Sequence, residues 1–404
     1  MQNTRGVFVE GDLFKKFSFA TSFYENQARF TPYEDYYYTS VGERYQNAAG
    51  EYYAQNAVIP GAGRTKEFKT DGFDYAFAVG YFSYAPIKQL RITAGNNPQF
   101  VGDGYRSLLL SDNSYAAPYF RVDWKLNPRF NFTYYRSRLI NLLRRRLSSS
   151  AEVYYETKGY SVNYFTYKPT DQLNISLFEG SIWNRGDSIT STTSHPLYFN
   201  PIPLVSSLIL DGKNEVVSLL GINASYQLAD KHRVYGQLAI NDWNTNKIGY
   251  QLGYRGYNFF GLNDFMVQVE YNDVPTQMYE TSNPRLNYSH YNLPLAHVKG
   301  SGFRELIIRA NYEYDHWFVD LRTALYNLKN YAQDAHLALY TSSPTIHANV
   351  FYQSLELGYR FNRKMNLSIF MRWRLRSTNE AGIPVANSLQ LGMRTAITNH
   401  YDDF

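Results

Sequence analysis

The stretch Gln353 to Arg376 constrains this 404-residue chain more than any other. Leu355, Leu357, Tyr359 and Phe361 alternate with Ser354, Glu356, Gly358 and Arg360. After Asn362-Arg363-Lys364, Leu367, Ile369, Met371, Trp373 and Leu375 alternate with Ser368, Phe370, Arg372, Arg374 and Arg376. Period two places successive side chains on opposite faces, so the spacing predicts two strands joined by a tight turn. One face is apolar for about nine to eleven residues, the length of a tilted strand crossing a bilayer. The other carries arginines at alternate positions. A soluble sandwich hides the apolar face inside, whereas a transmembrane barrel turns it outward around a polar lumen. Alternation alone does not separate the two, so the rest of the chain has to.

Tyr (39) and Phe (26) are abundant although only 44% of residues are hydrophobic, which suits strands with interfacial aromatic girdles better than helices. No apolar run reaches the length of a transmembrane helix. The absence of Cys excludes a disulfide framework and a thiolate metal site. A net charge of +5, dispersed along the chain, gives no reason to expect nucleic acid as a partner. The chain opens on strand-like sequence and not on a signal peptide, so an envelope protein of this kind is expected to have lost its leader.

Connection length gives the strongest signal. Short turns at Phe14-Lys15-Lys16, Ala85-Pro86-Ile87, Asn127-Pro128, Ala229 to Lys231 and Asp315-His316 alternate with long connections at about 29–70, 96–119, 183–215, 274–302 and 329–350. Outer-membrane barrels alternate short periplasmic turns with long outer loops in this way. The expectation is one all-β domain over residues 1–404, an antiparallel transmembrane barrel of about 16–18 strands in the outer membrane of a Gram-negative bacterium. Bacterial single-chain barrels have even strand numbers, and about seventeen segments are legible. One upward strand is therefore expected to be missing before Met1, with a seam between residues 5–13 and 388–401, and Phe404 is read as a girdle residue.

Four groups of residues are candidates for function. Tyr36, Tyr37 and Tyr38, in the first long connection, read as an interfacial belt or as a sugar-stacking platform, because a tyrosine ring joins an apolar face to a polar handle. Gly104, Tyr105, Arg106, Leu108, Leu109, Leu110, Asp112 and Asn113 lie between turn signals, and the leucines are too apolar for a free loop. This segment either plugs the lumen or covers other loops. Arg136, Arg138, Arg144, Arg145 and Arg146, interleaved with leucines, predict a short amphipathic helix or irregular loop: either a solvated face or a cationic patch for acidic glycan or lipopolysaccharide phosphate. Arg309, Arg322, Glu356, Arg360, Arg372 and Arg374 read as lumen charges, with Glu305, Glu313, Asp320 and Glu356 paired to arginines on their own or the next strand. The eight histidines are scattered and no Ser–His pair is placed for catalysis, so no enzyme, metal or cofactor is expected.

The segments NTRGVFVEGDLFKKFSFATSFYENQ, FVGDGYRSLLLSDNSYAAPYF and NHYDDF resemble the Wzi-like capsule-assembly outer-membrane barrels of Bacteroidota, among which are gliding-associated relatives. The likeness is best over residues 3–126 and at the last strand. It implies a monomeric barrel with a lectin-like role, holding capsular or other surface polysaccharide against the outer membrane and its lipopolysaccharide. The alternatives are a diffusion channel or transporter, and a scaffold in a secretion or gliding complex.

Overall fold

The computed structural model describes residues 1–47, 49, 51–145, 155–185, 199–202, 204–205, 209, 216–241, 247–281, 283–331, 346–380, 382–395 and 402–404. Twenty strands share one sheet. Three are short loop strands (Arg44–Gln46, Tyr52–Ala54, Lys66–Phe68), and the remaining seventeen build the wall. In chain order these are β1 (Gln2–Leu13), β2 (Phe17–Ala28), β3 (Gly72–Ile87), β4 (Leu90–Gly95), β5 (Tyr119–Asn127), β6 (Phe130–Arg145), β7 (Tyr155–Tyr167), β8 (Leu173–Asn184) and β9 (Val216–Ala229). They continue with β10 (His232–Asn241), β11 (Lys247–Tyr257), β12 (Phe265–Val274), β13 (Phe303–Tyr314), β14 (Trp317–Tyr331), β15 (Ile346–Asn362), β16 (Leu367–Thr378) and β17 (Ala386–Arg394).

Each wall strand pairs antiparallel with the next in sequence, from β1 to β17. The sheet curls round, because Ala28 of β2 and Ala386 of β17 join one buried cluster. Among the described residues β1 and β17 are not paired with each other. The hairpin read first from sequence is β15–β16, in the register its alternation predicts, with Leu355 opposite Trp373 and Leu357 opposite Met371.

Period two sorts the wall residues by solvent. An outward row runs Leu177, Ile222, Leu238, Tyr250 through paired positions, and all four are exposed. The row one step along the strands includes Leu252, 62% exposed, opposite Tyr271. The inward rows are polar: Asn223, Gln237, Gln251, Asn272 and Glu305 lie side by side. So do Arg255, Gln268, Arg309, Arg322, Ser354 and Arg374. This is the lipid-out, polar-in pattern of a membrane barrel.

At the long-loop end, α1 (Pro32–Ser40) is held at its start by Thr31, whose backbone N–H and Oγ1 both donate to Glu34 Oε2, at 2.8 and 2.6 Å. Strand β6 overshoots its neighbour β5 and is covered on its open side. Ile140 N–H donates to His290 Nδ1 at 2.9 Å, Leu142 N–H to Asn292 Oδ1 at 3.0 Å, and Arg44–Gln46 pairs parallel with its end. The helix or irregular loop expected at 136–146 is therefore a strand as far as Arg145. Its alternation of Tyr135, Ser137, Leu139 and Asn141 inward against Arg136 and Arg138 outward was hidden behind the basic residues. A strand end bonded on both sides leaves no bare edge for another chain to pair with.

Two predictions follow from this architecture. Leu252→Arg puts a cation on the lipid face in mid-strand and is expected to lower stability in lipid bilayers by about 2–4 kcal/mol. Urea unfolding in vesicles measures it, and an unchanged midpoint would refute the outward assignment. The second concerns His290, which burial and then the Lys158 ammonium push down to about 3, so its ring stays neutral as an acceptor for Ile140. Its contribution is fully present above the ordinary value of 6.5 and is lost as pH falls from 6.5 towards 3, by up to about 1.4 kcal/mol per pH unit. Heat unfolding across that window should be steeper with pH in the natural protein than in His290→Asn. Equal slopes would show that this ring does not set the dependence.

Candidate functional site

The interior is built around residues 96–118, which leave β4 at the long-loop end and run down inside the wall. Near the bottom, Asp103 accepts from Asn223 Nδ2 at 2.9 Å and from Arg233, two residues above a short turn, at 3.3 Å. Higher up, the Tyr105 and Arg106 backbone N–H groups donate to the Glu270 carboxylate at 2.7 and 3.0 Å. Leu108 N–H donates to Gln237 Oε1 at 2.8 Å. The inward amide row thus serves as a docking rail for this segment. Gly104 is needed for the approach: a Cβ there would stand 2.6 Å from Glu270 Oε2 and 2.7 Å from Gln251 Oε1.

Of the two arrangements the sequence left open for the leucines, the interior one is found. Leu108 and Leu109 are fully buried, and their carbonyls accept from Tyr279 Oη at 2.9 Å and Tyr288 Oη at 2.8 Å. Asn113 donates to the Pro294 carbonyl at 3.3 Å and accepts from Gly61 N–H at 2.8 Å, while Asp112 is half-buried beside it. Residues 275–302 therefore close over this segment from above. A cavity between it and that cover holds about 20 Å³, room for about one water.

Arg106 is the central charge, with 2% of its side chain exposed. Its guanidinium lies 2.9 Å from Asp403 and 3.4 Å from Glu305, and donates to Tyr326 Oη at 3.0 Å. Burial opposes its charge, but Asp403, Tyr326 and Glu305 outweigh burial and raise its pKa above the ordinary value. His297 Nε2 is 2.5 Å from the second oxygen of Glu305. Arg309 lies over the Tyr105 ring at 4.3 Å.

The lumen charges are paired, but often not as expected. Arg360 holds Glu313 at 3.0 Å, and Arg372 and Arg394 both hold Glu356. Glu305, by contrast, is held by Arg106 and His297 and not by Arg309. Arg322 bonds Asp402 and Asp403, and Arg374 bonds Glu34 at 2.8 Å and Asp402 at 3.1 Å. Residues 402–404 thus lie inside the barrel, all at most 1% exposed. This corrects two expectations. The described last strand ends at Arg394, with residues 396–401 of the expected strand outside the described residues, and Phe404 is not a girdle residue: its ring packs on Tyr37 at 4.2 Å, and its carbonyl accepts from Arg376 Nε at 3.1 Å.

The tyrosines divide. Tyr37 and Tyr38 are buried around Phe404, so neither an interfacial belt nor a stacking platform describes them; Tyr36 is 51% exposed. They sit on a helix whose inner face closes the interior, not on a loop. Arg136 and Arg138 face outward on β6, the first half-buried and the second exposed. Arg146 and the side chains of Arg144 and Arg145 lie outside the described residues.

No family model matches the chain, and no curated protein matches it. Solved structures do. Wzi, an outer-membrane protein involved in group 1 capsule assembly in Escherichia coli and described as a carbohydrate-binding β-barrel, has a TM-score of 0.59. It is 13% identical, and the match covers 96% of this chain and 76% of that one. OprD of Pseudomonas aeruginosa (10% identity, 96% and 92% covered) has a TM-score of 0.45. OccAB2 of Acinetobacter baumannii (10%, 96% and 90%) has a TM-score of 0.44. At such identities the likeness concerns the fold: this chain is an all-β, antiparallel barrel of the Gram-negative outer membrane.

Proposed function

We propose that this barrel holds surface polysaccharide at its outer face and neither conducts solutes nor catalyses a reaction. The observation that carries the reading is the packed interior. Residues 96–118, the cover at 275–302 and residues 402–404 meet around Arg106 with little room for even small solutes. A channel needs a continuous wet path, as porins provide. Tyr36, Tyr53 and Arg138 are exposed at the outer end, the tyrosines beside the exposed carboxylates Asp35 and Glu51, a mixture of rings and charges suited to sugar rings and their substituents. The carbohydrate binding described for the Wzi barrel, together with the resemblance of GYRSLLLSDN to the Wzi-like capsule-assembly family, supports membership of that family and a monomeric, lectin-like role.

Planar-bilayer recording joined to glycan-array binding tests this reading. The natural protein is expected to retain an acidic surface polysaccharide and to show no stable conductance. Gly104→Val crowds Glu270 and Gln251, costs docking of the segment about 1–3 kcal/mol, and is expected to produce intermittent openings. A stable large conductance from the natural protein, without glycan retention, would make it a channel.

A further inference from the structure

We infer that a groove on the outer wall, near the rim where β5 to β8 meet the long loops, takes the phosphate of an outer-leaflet glycolipid. It opens on the outside of the wall, where Arg136, Arg138 and Trp183 alternate with the interior-core residues Tyr135, Leu139 and Ile182, and it reaches inward past the end of β5 to Tyr119, Ser137 and Tyr160. Arg138, Gly159 and Trp183 stand opposite one another across β6, β7 and β8. One step towards the membrane lie Arg136, Ser161 and Ser181, with Phe120 beside Arg136. β5 reaches up only to Tyr119, opposite Ser137, while β6 to β8 run on above it, and this step leaves a depression. The Trp183 indole lies so close over Gly159 that a Cβ there would be 2.1 Å from the ring. Phe199 closes the far side, Arg185 stands at the top, and the groove has a volume of about 390 Å³.

Its electrostatics differ from those of the interior. Inward arginines meet carboxylates, whereas no carboxylate lines this groove among the described residues; Glu179, further down β8 on the same face, acts on Arg136. Arg136 is fixed in place: Nη1 donates to the Tyr135 carbonyl at 2.7 Å, Nη2 to the Asn200 carbonyl at 2.9 Å, and the guanidinium covers the Tyr134 ring. Arg138 and Arg185 are exposed and have no ion-pair partner among the described residues. Arg138 and Arg185 repel each other until an anion joins them, and a guanidinium fork matches phosphate oxygens. Below the groove the outward wall is apolar, with Phe120, Trp124 and Leu126 exposed to the hydrocarbon. A ligand with its anion above and acyl chains below fits both halves. A lipid-free acidic polysaccharide would leave the apolar half unused. The site shares Arg138 with the polysaccharide reading above but stands on its own geometry, and the displacement arm of the test separates the two.

The test is native mass spectrometry of the barrel in nanodiscs containing bis-phosphorylated lipid A, with dephosphorylated lipid A as the control. One lipid A per barrel is expected to survive gentle activation. R138Q/R185Q should weaken its retention by roughly tenfold per arginine, the equivalent of one lost charge-assisted contact each, and dephosphorylated lipid should be retained no better by the natural protein than by the variant. Both side chains are exposed, so the variant should keep its heat-modifiable mobility; if it does not, the single variants R138Q and R185Q replace it. Equal retention by natural and variant barrels overturns the proposal. So does displacement of the lipid by lipid-free acidic polysaccharide with the same arginine dependence, which would make the occupant a soluble glycan.

Discussion

A guanidinium shut inside a barrel must be matched by carboxylates, because taking a charge out of water costs several kcal/mol and leaving it unmatched costs more. Arg106 is that group here. Its partners come from two distant places: Glu305 and Tyr326, paired across β13 and β14, and Asp403 near residue 404. Once Arg106 is placed, Tyr105 and its own backbone are drawn onto Glu270, Gly104 must be small, and the leucines that follow have nowhere to go but the space under Tyr279 and Tyr288. The filled interior is the packing consequence of one buried ion network.

The outer surface obeys the opposite requirement. Lipid offers no hydrogen bonds, so backbone groups must be satisfied within the wall and side chains facing out must be apolar. The rows through Leu238 and Leu252 meet that condition. Where β6 rises past its neighbour, the 290–292 loop and Arg44–Gln46 take over its hydrogen bonds. Among the described residues, the outward wall arginines appear at that upper level, where the wall leaves the hydrocarbon and ionic groups cost less.

Much of the wall was legible because strand pairing is local. The β15–β16 hairpin declares its register through Leu355, Leu357 and Trp373, and the alternation of short and long connections orders the sheet. The apolarity of Leu108 to Leu110 flagged a segment that needed burial. What the sequence hid is non-local. Nothing around Asp402 and Asp403 announces that they meet Arg322, Arg374 and Arg106, up to 297 residues away. Tyr37 and Tyr38 look like surface tyrosines until Phe404 is known to pack against both. Charge also misled: Arg136 and Arg138 concealed a strand whose inward face, Tyr135 to Asn141, alternates cleanly.

Hydrogen–deuterium exchange of the protein in its membrane tests the filled interior most directly. The amides of Tyr105, Arg106 and Leu108 donate to Glu270 and Gln237 inside the wall, out of contact with bulk water. The account predicts that peptides spanning 104–110 exchange as slowly as the central strands β11 to β13. Exchange of those amides at the rate of an open loop would show that the segment does not occupy the barrel, and the ion network around Arg106 would lose its place in the structure.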